Sequence, residues 1–268
     1  MWPAKETLEV TMRWFAPFLL ATSGVAAADT PPPAPAPVML EPSVVARFPH
    51  DPQAFTEGLV WHRGHLYESV GLEGHSDVRR VDLASGRVLA RGAIPPALFG
   101  EGLAVWKDGL VSLTWHGGIA YRWNAATLKR TGAARYSGEG WGLTTLGDSL
   151  VRSDGTATLT VHDPRTLAVR RRIAVTLNGK PIDRLNELEA VDGAILANVW
   201  RSPYILRIDP ASGRVTAIVD LRAIVAEVGI SDDIEAVANG IAWDPAKRRL
   251  FITGKRWPTL FEIRLPAG

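Results

Sequence analysis

Glu101-Gly-Leu-Ala-Val-Trp-Lys-Asp-Gly-Leu-Val-Ser-Leu-Thr-Trp115 aligns without a gap on Asn186-Glu-Leu-Glu-Ala-Val-Asp-Gly-Ala-Ile-Leu-Ala-Asn-Val-Trp200, and each runs 14 positions from a polar residue to a tryptophan. Further copies begin at Glu57-Gly58-Leu59, Trp141-Gly142-Leu143 and Asn239-Gly240-Ile241, the last ending near Gly254 after a longer turn. A second marker, an apolar residue followed by Asp or Asn and a tight turn, recurs at Asp82, Asn124, Asp163 and Asp209, at spacings of 42, 39 and 46 residues. Short β-rich runs punctuated by turns at this period are the mark of propeller blades, each a small sheet that buries its faces only against its neighbours. Every copy reads as three alternating strands, a turn and a fourth strand, with residues 66–70 and 110–114 as typical second strands.

The fifth copy stops at Leu265 without a fourth strand, while residues 43–48 form an orphan strand at the other end. Pairing the two closes the ring and removes an exposed sheet edge. The expected fold is therefore all-β, a five-bladed β-propeller whose last blade is closed by the N-terminal strand. One short helix is expected over 219–228, ahead of the last blade.

The 268 residues, 46% hydrophobic and 22% charged, exclude wholesale disorder. A formal charge of +2 with scattered basic residues gives no clustered face for nucleic acid. The absence of cysteine removes thiol catalysis, thiolate metal sites and disulfides together. Residues 1–28 read as a signal peptide: Met12-Arg13-Trp14, an apolar run over 15–25, then Ala26-Ala27-Ala28, with Met12 a candidate start. That run is too short for a stable membrane span, so export to the periplasm or outside with cleavage near Ala28 is expected. Residues 29–42, with six prolines between 30 and 42, read as a stiff linker, and 43–268 as the propeller.

In a propeller the innermost strands line the central channel, so the residue before each Gly-Leu step recurs around one rim. That ring is Glu57, Glu101, Trp141, Asn186 and Asn239, and the inner hairpins return Trp115, Trp200 and the Gly254-Lys255 corner to the same rim. Repetition sets the scaffold, yet these residues differ from blade to blade, which marks them as a site. A funnel of carboxylates, amides, a lysine and indoles suits a small ligand with an apolar stem and a cationic head. Trp61, Trp106, Trp123, Trp243 and Trp257 read as packing residues, and His50 as a buried hydrogen-bonder.

Phe48-Pro-His50-Asp-Pro-Gln-Ala-Phe55-Thr56-Glu57-Gly-Leu59, Phe99-Gly-Glu101-Gly-Leu, Leu113-Thr-Trp115, Glu139-Gly-Trp141-Gly-Leu, Ser153-Asp154-Gly155-Thr156, Leu185-Asn186-Glu187-Leu188-Glu189, Asn198-Val-Trp200, Asn239-Gly-Ile-Ala-Trp-Asp244 and Thr253-Gly-Lys255-Arg-Trp-Pro258 together resemble the plant and bacterial glutaminyl cyclases. The resemblance covers about residues 43–265. It implies a five-bladed propeller, without catalytic zinc or other cofactor, that turns the N-terminal glutamine of peptides and proteins into pyroglutamate with loss of ammonia. It also implies Glu101 as acid/base, Asn186 and Lys255 as polar catalytic partners, and Phe55, Glu57, Trp115, Trp141 and Trp200 as the substrate pocket. Plant members carry Gln where this chain has Glu57, which leaves open whether Glu57 or Glu101 anchors the substrate ammonium.

The six histidines match no zinc spacing. Asp232, Asp233 and Glu235 could hold a structural calcium. A monomer is expected, with no nucleic-acid partner. Two other functions fit a propeller with acids and amides near its axis, a divalent-metal lactonase and a non-enzymatic binding platform. Neither accounts for three tryptophans at matching positions.

Overall fold

The structure is a computed structural model that describes residues 35–230 and 233–266. The expected signal peptide and Asp232 lie outside the described residues. Two short strands lead the described chain, β1 (Val38–Leu40) and β2 (Ser43–Pro49). Blade 1 then comprises β3 (Thr56–His62), β4 (His65–Val70), β5 (Asp77–Val81) and β6 (Val88–Ala93). Blade 2 comprises β7 (Gly100–Trp106), β8 (Gly109–Thr114), β9 (Ile119–Asn124) and β10 (Arg130–Arg135). Blade 3 has β11 (Leu143–Leu146), β12 (Ser149–Arg152), β13 (Thr158–His162) and β14 (Val169–Ala174), followed by a small hairpin, β15 (Thr176–Leu177) and β16 (Lys180–Pro181). Blade 4 has β17 (Leu185–Val191), β18 (Ala194–Val199), β19 (Tyr204–Ile208) and β20 (Val215–Asp220). Helix α1 (Arg222–Val228) precedes β21 (Ala238–Asp244), β22 (Arg249–Gly254) and β23 (Thr259–Arg264) of blade 5.

The five inner strands β3, β7, β11, β17 and β21 touch their neighbours in cyclic order, which closes the ring. Strand β2 pairs antiparallel with β23, with Val44 opposite Ile263 and Phe48 opposite Leu260, as the missing fourth strand of blade 5 required. The turn acids fall between the third and fourth strands of their blades. There the side-chain oxygens of Asp82, Asn124, Asp163 and Asp209 accept backbone N–H groups two or three residues on, the Asx geometry that makes these residues turn formers.

Five apolar clusters each span two neighbouring blades. Leu59, Leu66 and Val81 of blade 1, for example, pack on Ala242, Phe251 and Leu260 of blade 5, and equivalent clusters fill the other four gaps. Alternation along each strand puts one set of side chains into each gap, so the sheets bury both faces. Trp123 and Trp257 are fully buried, and Trp61, Trp106 and Trp243 pack against the inter-blade clusters, in line with their reading as packing residues.

Two expectations need adjustment. Within the stretch read as a linker, Val38–Leu40 adds to blade 4 as a fifth strand, parallel to β20. Three apolar residues between Pro37 and Pro42 can donate to the open edge of β20, and the prolines confine the pairing to that length. The helix begins at Arg222 rather than 219, because Val219 and Asp220 complete β20 opposite Ile205 and Tyr204. It ends at Gly229, whose φ of 71° is the left-handed cap glycine tolerates.

Candidate functional site

The side chains of the rim are aimed by irregularities in the inner strands. Pairing slips between Thr56 and Gly58 in blade 1, Gly100 and Leu103 in blade 2, Leu185 and Leu188 in blade 4, and Ala238 and Ile241 in blade 5. Such bulges free residues from the ladder and redirect them. Glu57, Glu101, Asn186 and Asn239 all sit in them. In blade 3 Trp141 lies just before β11, its N–H donating to the Ser153 carbonyl at 3.0 Å.

Beside these residues the chain packs backbone on backbone. A Cβ on Gly58, Gly102 or Gly142 would collide with the backbone of the next inner strand. Blade 4 breaks the pattern: Glu187 stands where blades 1, 2, 3 and 5 have glycine. Its buried carboxylate fills the axis, accepting the N–H of Leu59 at 3.3 Å and of Ile241 at 2.9 Å, so one side chain ties blade 4 to blades 1 and 5. Burial pushes its pKa well above 4.5, and repulsion from Glu189 adds to the rise.

Above this level lies a cavity of about 330 Å³. Phe55, Glu57, Glu101, Trp115, Trp141, Asn186, Trp200 and Lys255 line it, which brings together eight of the nine residues singled out in the sequence. Asn239 is not a lining residue. It lies fully buried beneath the floor, where its Nδ2 donates to the Thr56 carbonyl at 2.8 Å and to Glu57 Oε2 at 3.2 Å. The bulge of blade 5 turns it toward Glu57 rather than up into the funnel, so it supports the site from below.

Lys255 Nζ donates to Glu57 Oε1 at 2.7 Å and sits 4.4 Å from the Phe55 ring centre, a buried ion pair capped by an aromatic face. Burial nevertheless lifts the Glu57 pKa to about 7, winning over the attraction of Lys255. Glu101, 6% exposed, is raised well above 4.5, first by burial, then by the Glu57 charge, with Lys255 opposing. Hydrogen bonds play no part in that shift. The cavity thus holds three carboxylates, Glu57 paired with Lys255, Glu235 paired with Arg201, and Glu101 with no paired cation among the described residues, so Glu101 is the group that readily keeps or takes a proton. The Lys255 N–H donates to the Val237 carbonyl at 2.9 Å, and buried His50 anchors the chain just beyond it: the His50 N–H donates to the Pro258 carbonyl at 2.9 Å, Nδ1 to the Trp257 carbonyl at 2.6 Å, and Nε2 faces Glu68 Oε1 at 3.0 Å.

The sequence reading gave no role in the pocket to four residues. Phe99 packs edge-on to Phe55 and Trp115 with ring centres 6.0 and 5.7 Å away. Glu235 lines the cavity, accepts the Trp200 indole N–H at 3.4 Å and pairs with Arg201. Glu139 accepts the indole N–H groups of both Trp115 and Trp141. Glu187 carried a signal, the missing glycine; Phe99 and Glu235 act between segments far apart in the chain, and Glu139 reaches Trp115 as well as its near neighbour Trp141. Glu235 and Asp233 are each engaged by an arginine, Arg201 and Arg256, while Asp232 lies outside the described residues. Among the described residues no group of three or more His, Cys, Asp or Glu is placed to hold a metal ion.

The family model described as glutamine cyclotransferase matches residues 18–265. This chain belongs to the glutamine cyclotransferase family. A glutaminyl-peptide cyclotransferase of Arabidopsis thaliana is 40% identical over 231 residues, covering 84% of this chain and 71% of that protein. The crystal structure of Myxococcus xanthus glutaminyl cyclase superposes with a TM-score of 0.82 at 41% identity, covering 85% of this chain and 98% of that one. As a glutamine cyclotransferase with the five-bladed propeller fold, the chain collects every rim residue but Asn239 around one funnel.

Proposed function

We propose that the protein is a glutaminyl-peptide cyclotransferase that closes the N-terminal glutamine of peptides and proteins into pyroglutamate and releases ammonia. The observation that carries this reading is the meeting, in one cavity, of Glu101, Asn186, Lys255 and three indoles. The substrate supplies its own nucleophile. Its α-amine attacks the γ-carboxamide carbon, the ring C–N bond forms, and the bond to the amide nitrogen breaks. No serine or cysteine nucleophile is required.

The chain has three tasks. Trp115, Trp141 and Trp200 with Phe55 grip the glutamine side chain along its length. The neutral α-amine attacks, and Glu101 takes the proton that this nitrogen sheds as the ring closes and delivers it to the departing amide nitrogen, which leaves as ammonia, a role worth about 10²–10⁴-fold. A free α-amine has a pKa near ~7.7–8.0, so a carboxylate lifted by burial exchanges a proton with it more evenly than an ordinary one would. Lys255, whose ammonium keeps donors beyond the one given to Glu57, and the Asn186 amide stabilise the oxyanion, at about 3–4 kcal/mol for a well-placed donor. The indoles also exclude water, which would otherwise yield glutamate. Glu57, held by Lys255 and Asn239, orients rather than transfers protons.

The Met12-to-Ala28 pattern supports export, with the propeller working in the periplasm or outside the cell. Among the described residues no helix is long and apolar enough to cross a membrane. The test is to incubate purified protein with a glutaminyl dipeptide, with and without a chelator. Ammonia and pyroglutamate should form in equal amounts whether or not chelator is present. Glutamate as the product, or no ammonia at all, would overturn the reading.

A further inference from the structure

We propose that Glu139 is a positioning residue of this site: its carboxylate tethers Trp115 and Trp141 and so fixes the width of the pocket mouth. The inference rests on the cyclotransferase reading above. The two indoles come from different blades, Trp115 from the end of β8 and Trp141 from the approach to β11. Both donate to the same oxygen, Glu139 Oε2, each at 2.9 Å. The other oxygen faces His116 Nδ1 at 3.4 Å, and the His116 ring stacks on Trp115 with centres 3.8 Å apart.

Little else holds these walls. Trp115 is 37% exposed and meets Phe99 only edge-on. Trp141 meets Trp200 edge-on at 5.8 Å and lies against Gly155, where a Cβ would strike its ring. The anchor is firm by contrast. Arg152 donates to the carbonyls of Glu139 and Ser137, and the Gly140 N–H donates to the Trp115 carbonyl at 3.1 Å. A carboxylate on a fixed backbone thus ties together two indoles that meet their aromatic neighbours across the pocket only edge-on. The other carboxylates near the mouth, Glu235, Asp233 and Asp154, each have an arginine partner among the described residues, whereas Glu139 is engaged by the indoles and His116.

Walls that grip the substrate in the ground state and the transition state alike act on KM more than on kcat. In Glu139→Ala the indoles lose their shared acceptor, and KM for a Gln-Ala dipeptide should rise roughly tenfold while kcat stays within about threefold. In Glu139→Gln the amide oxygen accepts both N–H groups as the carboxylate oxygen does, and KM should return to within about twofold of wild type. Unchanged KM in Glu139→Ala, equal impairment of the two variants, or a loss confined to kcat would each overturn the tether. A second readout needs no turnover: quenching of tryptophan emission by acrylamide should increase in Glu139→Ala and revert in Glu139→Gln. Identical quenching in all three proteins would refute the tether even if the wild type released no ammonia, an outcome that by itself would sink only the cyclotransferase reading.

Discussion

Replacing Glu101 by glutamine isolates proton transfer, because shape and volume are kept while the proton acceptor is lost. The cost depends on whether another carboxylate can step in. Glu57 is the nearest candidate in kind, but its Oε1 lies 2.7 Å from Lys255 Nζ and its Oε2 3.2 Å from Asn239 Nδ2. Swinging it toward the substrate would leave a buried ammonium unpaired, at about 3–5 kcal/mol. Each 1.4 kcal/mol is a decade in rate, so a rescue by Glu57 would itself be slowed by roughly two to four decades. Glu235 is committed to Arg201 and Trp200. The full worth of the general base should therefore be lost, a fall in kcat of about 10²–10⁴-fold with KM changed less than about threefold. Pyroglutamate should be followed by mass spectrometry alongside ammonia release, at saturating glutaminyl dipeptide. A Glu101→Gln enzyme within about tenfold of wild-type kcat would refute the assignment and move the proton transfer to Glu57.

Two further outcomes follow from the same charges. In Glu57→Gln, Glu101 loses the repulsion that raises its pKa and keeps the attraction of Lys255, so the acidic limb of kcat/KM should move to lower pH; an unmoved limb would show that Glu57 carries no charge near Glu101 in the working enzyme. In Glu187→Ala, the N–H groups of Leu59 and Ile241 lose their acceptor at about 1–3 kcal/mol each, partly offset by removal of a desolvated carboxylate, so Tm should drop by roughly 5–15 °C. Burial raises the Glu187 pKa above 4.5, so the folded state holds that proton more tightly than the unfolded chain and the carboxyl costs stability as pH rises. The variant's Tm should accordingly fall less steeply with pH than the wild type's, and parallel slopes would contradict the raised pKa.

The architecture was legible because it repeats. A blade is built from local hairpins and Asx turns, so Asp82, Asn124, Asp163 and Asp209 announce it within a few residues of themselves. Periodicity then converted distance along the chain into position around a ring, which is why Glu57, Glu101, Trp141 and Asn186 could be assigned to one rim. The same logic overreached at Asn239. Equivalent positions share a backbone location, but the bulge of each blade sets its own side-chain direction, and here it points under the floor. Strand β1 was hidden for a different reason: proline content describes stiffness, whereas pairing with β20 depends on an open edge contributed by residues some 180 positions away.

What the sequence determined alone is the ring and the order of the chemistry around it, because both follow from short-range propensity repeated at a fixed period. What the tertiary structure decided is which charges neutralise each other and what braces the walls. Glu57 and Lys255 are 198 residues apart, and Glu139 meets Trp115 across two blades. Electrostatic and hydrogen-bonding partnerships of this kind depend on distances in space and on exclusion of water, neither of which is fixed until the last blade closes on the first.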